Sequence, residues 1–206
     1  GYVKGGSMSQ IELILTKTEF MQQQCLLSSN SAIDQAVDGT LTGIVTYIKL
    51  SNGHYQTLSR YEDDQWTFPA SKGTKAVRKN QLILNFSTIT DIQMLRMAKW
   101  VIATKLKNGL ALGSLRSSLM KLKSYFKWVS ATDTIASHGL TTFTASAYVK
   151  HVHTLTSKQK GEIKPLSSMT KTHKFLELES LYLHCKGFKF IKEHPWPESS
   201  ASEQAG

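Results

Sequence analysis

The residues best suited to chemistry lie in "LGSLRSSLMKLKSYFKWVS", residues 112–130. Leu115, Leu119, Leu122, Phe126 and Val129 recur at spacings of four, three, four and three, which predicts an amphipathic helix with one apolar seam. At about 100° per residue, Ser117, Lys121, Ser124 and Trp128 form a stripe on the opposite face, flanked by Arg116, Lys123 and Lys127. The segment contains no acid. Solvated helix faces usually mix signs, so an all-basic face with hydroxyls between its cations points to phosphate contact. Arg116 could also read a guanine edge, because a guanidinium offers two parallel donors.

A second surface of this kind opens "LSSMTKTHKFLELESLYLHCKG", residues 166–187. Ser167, Thr170 and Lys174 share one side of the predicted helix, with Lys171 at the edge. Hydroxyls and unpaired amides at a helix start favour an anion. The competing role for Ser167 or Ser168 is to cap the helix, and the two roles are compatible.

Other chemistry is poorly provided for. His151 and His153 are two apart, so on a helix their rings point in different directions and cannot share a metal; His184 beside Cys185 is no better placed. No P-loop, GxGxxG, GxSxG or HExxH motif occurs, and the acids are scattered. No cofactor, metal or catalytic residue is therefore expected. Cys25 and Cys185 are far apart and outside any CxxC pair, which predicts two reduced thiols.

The basic charge is unevenly distributed. Residues 1–86 hold eight basic and seven acidic residues, whereas residues 87–192 hold seventeen basic and five acidic ones. A block so unbalanced attracts polyanions, with double-stranded DNA the leading partner and an anionic membrane surface the second. No apolar run has the length of a membrane span and no secretion signal is visible, so a cytoplasmic location without a membrane partner is expected.

These surfaces need scaffolds. The first seven residues, "GYVKGGS" before Met8, read as an addition ahead of the native start. Residues 8–86 predict a small mixed α/β or β-rich domain. In it "TYIKLSNGHYQTL" signals a hairpin at Asn52-Gly53, and "DQWTF" and "NQLILNF" suit short strands either side of "PASKGTKAVRKN". Residues 11–27 fit helix or strand equally. From Thr88 the pattern turns helical, which predicts an all-α four-helix domain over 87–190 and an α+β chain. The first helix lies in 88–109, with Thr90 and Gln93 as a capping box and Asn108-Gly109 as its stop; the second is 112–130. The third covers 141–159 and is followed by a loop, "KGEIKP". The fourth has Met169, Leu176 and Leu183 at heptad spacing, an arc widened by Phe175, Leu178 and Tyr182, and Gly187 as C-cap. Residues 191–206 contain "HPWPESSASEQAG" with two prolines and predict a linker.

This order of features resembles the N-terminal half of tyrosine recombinases of the phage-integrase type. The resemblance rests on "DQWTF" and "LILNFSTI" ahead of the first helix, on the Ser-rich starts "LGSLRSSLMKLKSYFKWV" and "KPLSSMTKTHKFLELESLYLH", and on the connector-like tail. It implies an arm followed by a SAM-like core-binding domain that clamps duplex DNA together with further protomers during integration and recombination. The breaking and rejoining of strands would belong to a catalytic domain downstream of Gly206. No residue here matches that domain's catalytic positions, and Tyr125, Tyr148 and Tyr182 are assigned no chemistry. Two other readings fit the same residues: an independent helix-turn-helix regulator, for which "KNGLALGSLRSS" would supply the junction, and a protein-interaction adaptor whose basic face meets an acidic partner.

Overall fold

The computed structural model describes residues 13–70 and 78–206; the first seven residues and the middle of "PASKGTKAVRKN" lie outside the described residues. The chain is α+β and divides into two compact units between Thr88 and Ile89, two residues beyond the shift in composition.

In the first unit the ambiguous stretch before residue 27 resolves into both alternatives, strand β1 (Ile14–Leu15) and helix α1 (Lys17–Gln23). Thr16 and Glu19 form a reciprocal capping box that starts α1. Helix α2 (Ala32–Asp38) and strands β2 (Ile44–Lys49) and β3 (Tyr55–Arg60) follow, and β3 lies between β1 and β2 in an antiparallel sheet. The expected hairpin turns at Asn52-Gly53, but only Gly53 takes positive φ; the Asn52 side chain accepts the His54 amide. Phe20 stacks on Tyr55 beside Leu15 and Ile44. "DQWTF" and "NQLILNF" give strands β4 (Gln65–Thr67) and β5 (Ile83–Asn85), which pair antiparallel and bury Trp66 against Phe86.

The second unit contains four long helices: α3 (Ile92–Lys107), α4 (Leu112–Ser130), α6 (Thr142–Thr154) and α7 (Ser168–His184), with short α5 (Asp133–His138) after α4. Helix α3 is capped by Asp91, whose carboxylate accepts the Met94 amide, and not by Thr90; an ionised acceptor at the cap also meets the positive end of the helix dipole. The seam of α4 is buried as its spacing predicts. That of α7 is not. Met169, Leu176 and Leu183 are 72%, 45% and 63% exposed, and the buried apolar residues are Phe175, Leu178 and Leu181. Helix α7 carries two apolar arcs on nearly opposite sides, and it packs on α3, α4 and α6 with the arc that contains phenylalanine, the larger surface to bury. It ends at Cys185, which serves as C-cap in place of Gly187.

Helix α6 stops at Thr154, five residues short of the expected end. The next stretch, expected as the end of a helix and a loop, forms an antiparallel ribbon of β6 (Thr156–Gln159) and β7 (Glu162–Pro165). Its two-residue turn places Lys160 and Gly161 at positive φ (49° and 84°), the geometry that matches strand twist in tight hairpins.

The stretch expected as a linker is folded onto the helices. Leu140 donates its amide to Phe190 and receives that of Lys192, an approach so close that a Cβ at Gly139 would collide with the Phe190 backbone. Trp196 is buried edge-on to Phe175 and donates its indole N–H to Glu179 at 2.6 Å. A short helix α8 (Ala201–Ala205) packs on α7 and α6. Proline and serine broke the helix here without preventing burial, because Trp196 and the small residues Ala201 and Ala205 fit the surface of α7.

Candidate nucleic-acid interface

Helices α4 and α7 pack against each other with their polar faces turned to one side, and a groove of about 550 Å³ runs between them. Arg116, Ser117, Lys121 and Ser124 line it from α4, and Thr170 and Lys174 line it from α7. Six of the nine residues singled out in the sequence are thus brought together, although α4 and α7 are separated by 37 residues of chain. The remaining three do other work. Ser167 caps α7, accepting the Thr170 amide at 3.2 Å and sharing a hydroxyl contact with the Thr170 side chain. Lys171 donates to His153 Nδ1 at 2.9 Å, away from the groove. Lys127 is exposed on α4 beyond the groove lining.

Gly113, Met120 and His173 also line the groove and were not anticipated. A signal existed for the first: Gly113 is one turn before Ser117 on the same stripe. Lacking a side chain there, the helix leaves one end of the groove wide. Met120 and His173 lie beside the stripes, at positions that matter only once the second wall is known.

None of the nine described lining residues is acidic. The acid nearest in sequence, Glu177, is buried one turn below Lys174 and is neutralised there. Lys105 of α3 donates to Glu177 Oε1 at 2.9 Å and to Ser118 Oγ at 2.9 Å, and the Ser118 hydroxyl donates to the same carboxylate oxygen at 2.5 Å. This cluster ties α3, α4 and α7 together and leaves the groove positive. Within the groove, Lys121 donates to Ser117 Oγ at 3.0 Å. Burial holds the Lys174 ammonium below the ordinary lysine value, with the Lys121 charge adding to the effect. Two cations held this close repel in the free protein, and an anion placed between them would relieve that repulsion. The groove can therefore bind a phosphate-bearing ligand through cations and hydroxyls on two rigid walls.

At the far end of the stripe, Trp128 does not line the groove. It is half-buried and stacks on His151 at 5.6 Å, beside Tyr148 at 5.2 Å. His153 faces elsewhere, between Lys171 and the Gln204 carbonyl, as the i, i+2 spacing required. Tyr125 is fully buried, and burial raises its phenol pKa; that of Tyr148 is raised to about 12. Both thiols are free and buried, with burial pushing Cys25 up to about 12. Among the described residues no cluster of three metal-ligating side chains forms, and no helix is long and apolar enough to cross a membrane. No protein-family model, no curated protein and no solved structure matches this chain.

Proposed function

We propose that the second unit is a SAM-like core-binding domain that holds duplex DNA in the groove between α4 and α7, and that the chain is the DNA-binding half of a tyrosine recombinase of the phage-integrase type. One observation carries this reading: an acid-free groove unites Arg116, Ser117, Lys121, Ser124, Thr170 and Lys174 from two helices distant in sequence. In it, α4 and α7 approach the major groove and Lys121 and Lys174 neutralise phosphates. Ser117, Ser124 and Thr170 add hydroxyl contacts to the backbone, and Arg116 reads a base edge. The chain's own contribution is binding and orientation; strand exchange belongs to the domain expected downstream, and integration to protomers assembled on DNA.

The test is an anisotropy titration of a labelled duplex over a salt series with wild type, Lys121→Ala and Lys174→Ala. Each variant should weaken binding whatever the sequence and flatten the slope of log affinity against log salt by about 0.9, the counterion release that accompanies one phosphate neutralised. Both side chains border the groove and neither belongs to an apolar seam, so the fold should be unaffected. Unchanged affinity and slope in both variants would remove the groove from the DNA interface.

A further inference from the structure

The β6–β7 ribbon stands clear of the helices. Nine of its ten residues from Thr156 to Pro165 are exposed, and Ser157 is half-buried. Its four cross-strand pairs make a ribbon about 14 Å long at the usual rise per residue. Thr156 faces Pro165 and Lys158 faces Ile163, and these alternate pairs share the outward side. On the other side Ser157 faces Lys164 and Gln159 faces Glu162. The ribbon's one acid, Glu162, is paired with Lys164 at 3.3 Å. The outward side and the turn therefore present Lys158 and Lys160 unopposed by an acid of the ribbon, around an Ile163 that is 76% exposed.

An isoleucine so exposed adds nothing to the core, and an isolated two-stranded ribbon is marginal by itself. The location gives both a use. The Leu166 amide donates to the Leu155 carbonyl and closes the base of the ribbon, and α7 begins two residues later. Thr170 and Lys174, on the first two turns of α7, already line the groove. Ribbon and groove are thus joined through the first turn of α7, with Lys164 paired to Glu162 and Lys171 turned to His153 between them, and a duplex seated on α7 would pass its start.

We propose that the ribbon is a second contact to the same duplex, flanking the α4–α7 groove, with Lys158 and Lys160 on phosphates and Ile163 set against the sugar edge of the adjoining groove. The occupant is DNA because the exposed charges are cations, which complement a polyanion, and because the ribbon leads directly into the helix that lines the groove assigned to DNA. An apolar side chain among cations suits a nucleic-acid groove, where contact with sugars and base edges is apolar and the rim is phosphate. This inference rests on the reading of the groove and adds to the footprint on one flank.

The experiment uses the whole chain and a 30-base-pair mixed-sequence duplex labelled at one end. It compares wild type, Lys158→Gln/Lys160→Gln, Ile163→Ser and Lys121→Ala by anisotropy over a salt series and by hydroxyl-radical footprinting. The double variant should flatten the salt slope by about 1.8, for two phosphates left unneutralised. Ile163→Ser should weaken binding by about tenfold with the slope unchanged, since an apolar side chain displaces no counterion. Both should lose protection on one flank only. The exposed positions leave the fold intact, which circular dichroism checks. If Lys121→Ala weakens binding while both ribbon variants match wild type in slope and footprint, the ribbon proposal is overturned and the groove reading stands. If wild type does not bind the duplex at low salt, both are overturned.

Discussion

Helices α4 and α7 bring similar side chains to the groove, yet they are fixed in place by different forces. Helix α4 buries one continuous seam from Leu115 to Val129 and has no capping side chain at Ala111. Helix α7 is capped by Ser167, buries a shorter seam, and is held by polar contacts along its length: Glu177 with Lys105 and Ser118, Glu179 with the Trp196 indole and the Ala201 amide, Ser168 with the Gly206 carbonyl. Ser118 gives α4 one buried polar tie, to Glu177 and Lys105, but most of its hold is the non-directional seam, whereas the hydrogen bonds spread along α7 fix its rotation and register. The wall on α4 should therefore tolerate conservative change, and the wall on α7 should not.

The largest effect that this contrast predicts is at Glu177. Glu177→Gln leaves the mostly buried Lys105 ammonium without its counter-ion, and loss of one member of a buried pair costs about 3–5 kcal/mol. Leu122→Met, a volume-conserving change in the α4 seam, should cost less than about 1.5 kcal/mol. Urea unfolding of both variants measures the difference. Lys105→Met/Glu177→Met should recover most of the loss, because replacing a buried pair by apolar side chains is often neutral or favourable. Equal losses for Glu177→Gln and Leu122→Met would end the distinction between the two walls.

The same two helices show what the sequence could reveal. In α4 each apolar residue at helical spacing belongs to one arc, so periodicity identified both the seam and, by opposition, the groove face. In α7 Met169, Leu176 and Leu183 compete with Phe175, Leu178 and Leu181, and periodicity cannot rank two arcs when only the neighbours decide which is covered. Thr170 and Lys174 could be placed on one side of α7 without knowing which arc is buried, and both line the groove with α4. Two features were hidden for physical reasons. The Lys160-Gly161 turn lacks the Asn-Gly or Asp-Gly signal, and the strands beside it have no buried face to produce alternation. The tail was masked by its prolines, which report on local backbone and say nothing of whether Trp196 finds a surface.

A smaller effect concerns the end of α7. His184 is half-buried there, and its imidazole is held below the ordinary value of 6.5 by burial first and by Lys105 second, with Glu177 opposing both. In the unfolded chain the ring takes up its proton at the ordinary value, and in the folded chain only at lower pH. Between those values the unfolded state binds more protons, so stability falls as pH drops from about 6.5 through the lowered folded value and is unaffected above. His184→Asn should flatten that part of the stability profile relative to wild type, as measured by urea midpoints from pH 7.5 to 5. Removing Glu177 should steepen it by deleting the charge that favours the protonated ring. A wild-type profile superimposable on that of His184→Asn would show that the ring does not feel its surroundings.

The smallest effect belongs to the arc of α7 that was expected to be core. Met169, Leu176 and Leu183 are exposed in the folded unit, so Met169→Gln and Leu183→Gln remove little buried surface. Glutamine has nearly the helix propensity of leucine and methionine, which leaves no backbone penalty to offset. Each change should alter stability by no more than about 0.5 kcal/mol, the range of ordinary surface substitutions. Leu178→Gln, the same replacement on the opposite arc, should by contrast place an amide in the core and cost several kcal/mol, because burial strips the amide of its water. The urea midpoints of Leu183→Gln and Leu178→Gln, measured side by side, decide which arc α7 buries. A loss at Leu183 as large as that at Leu178 would mean that the heptad stripe is covered after all, and the rotation of α7 that places Thr170 and Lys174 in the groove would have to be redrawn.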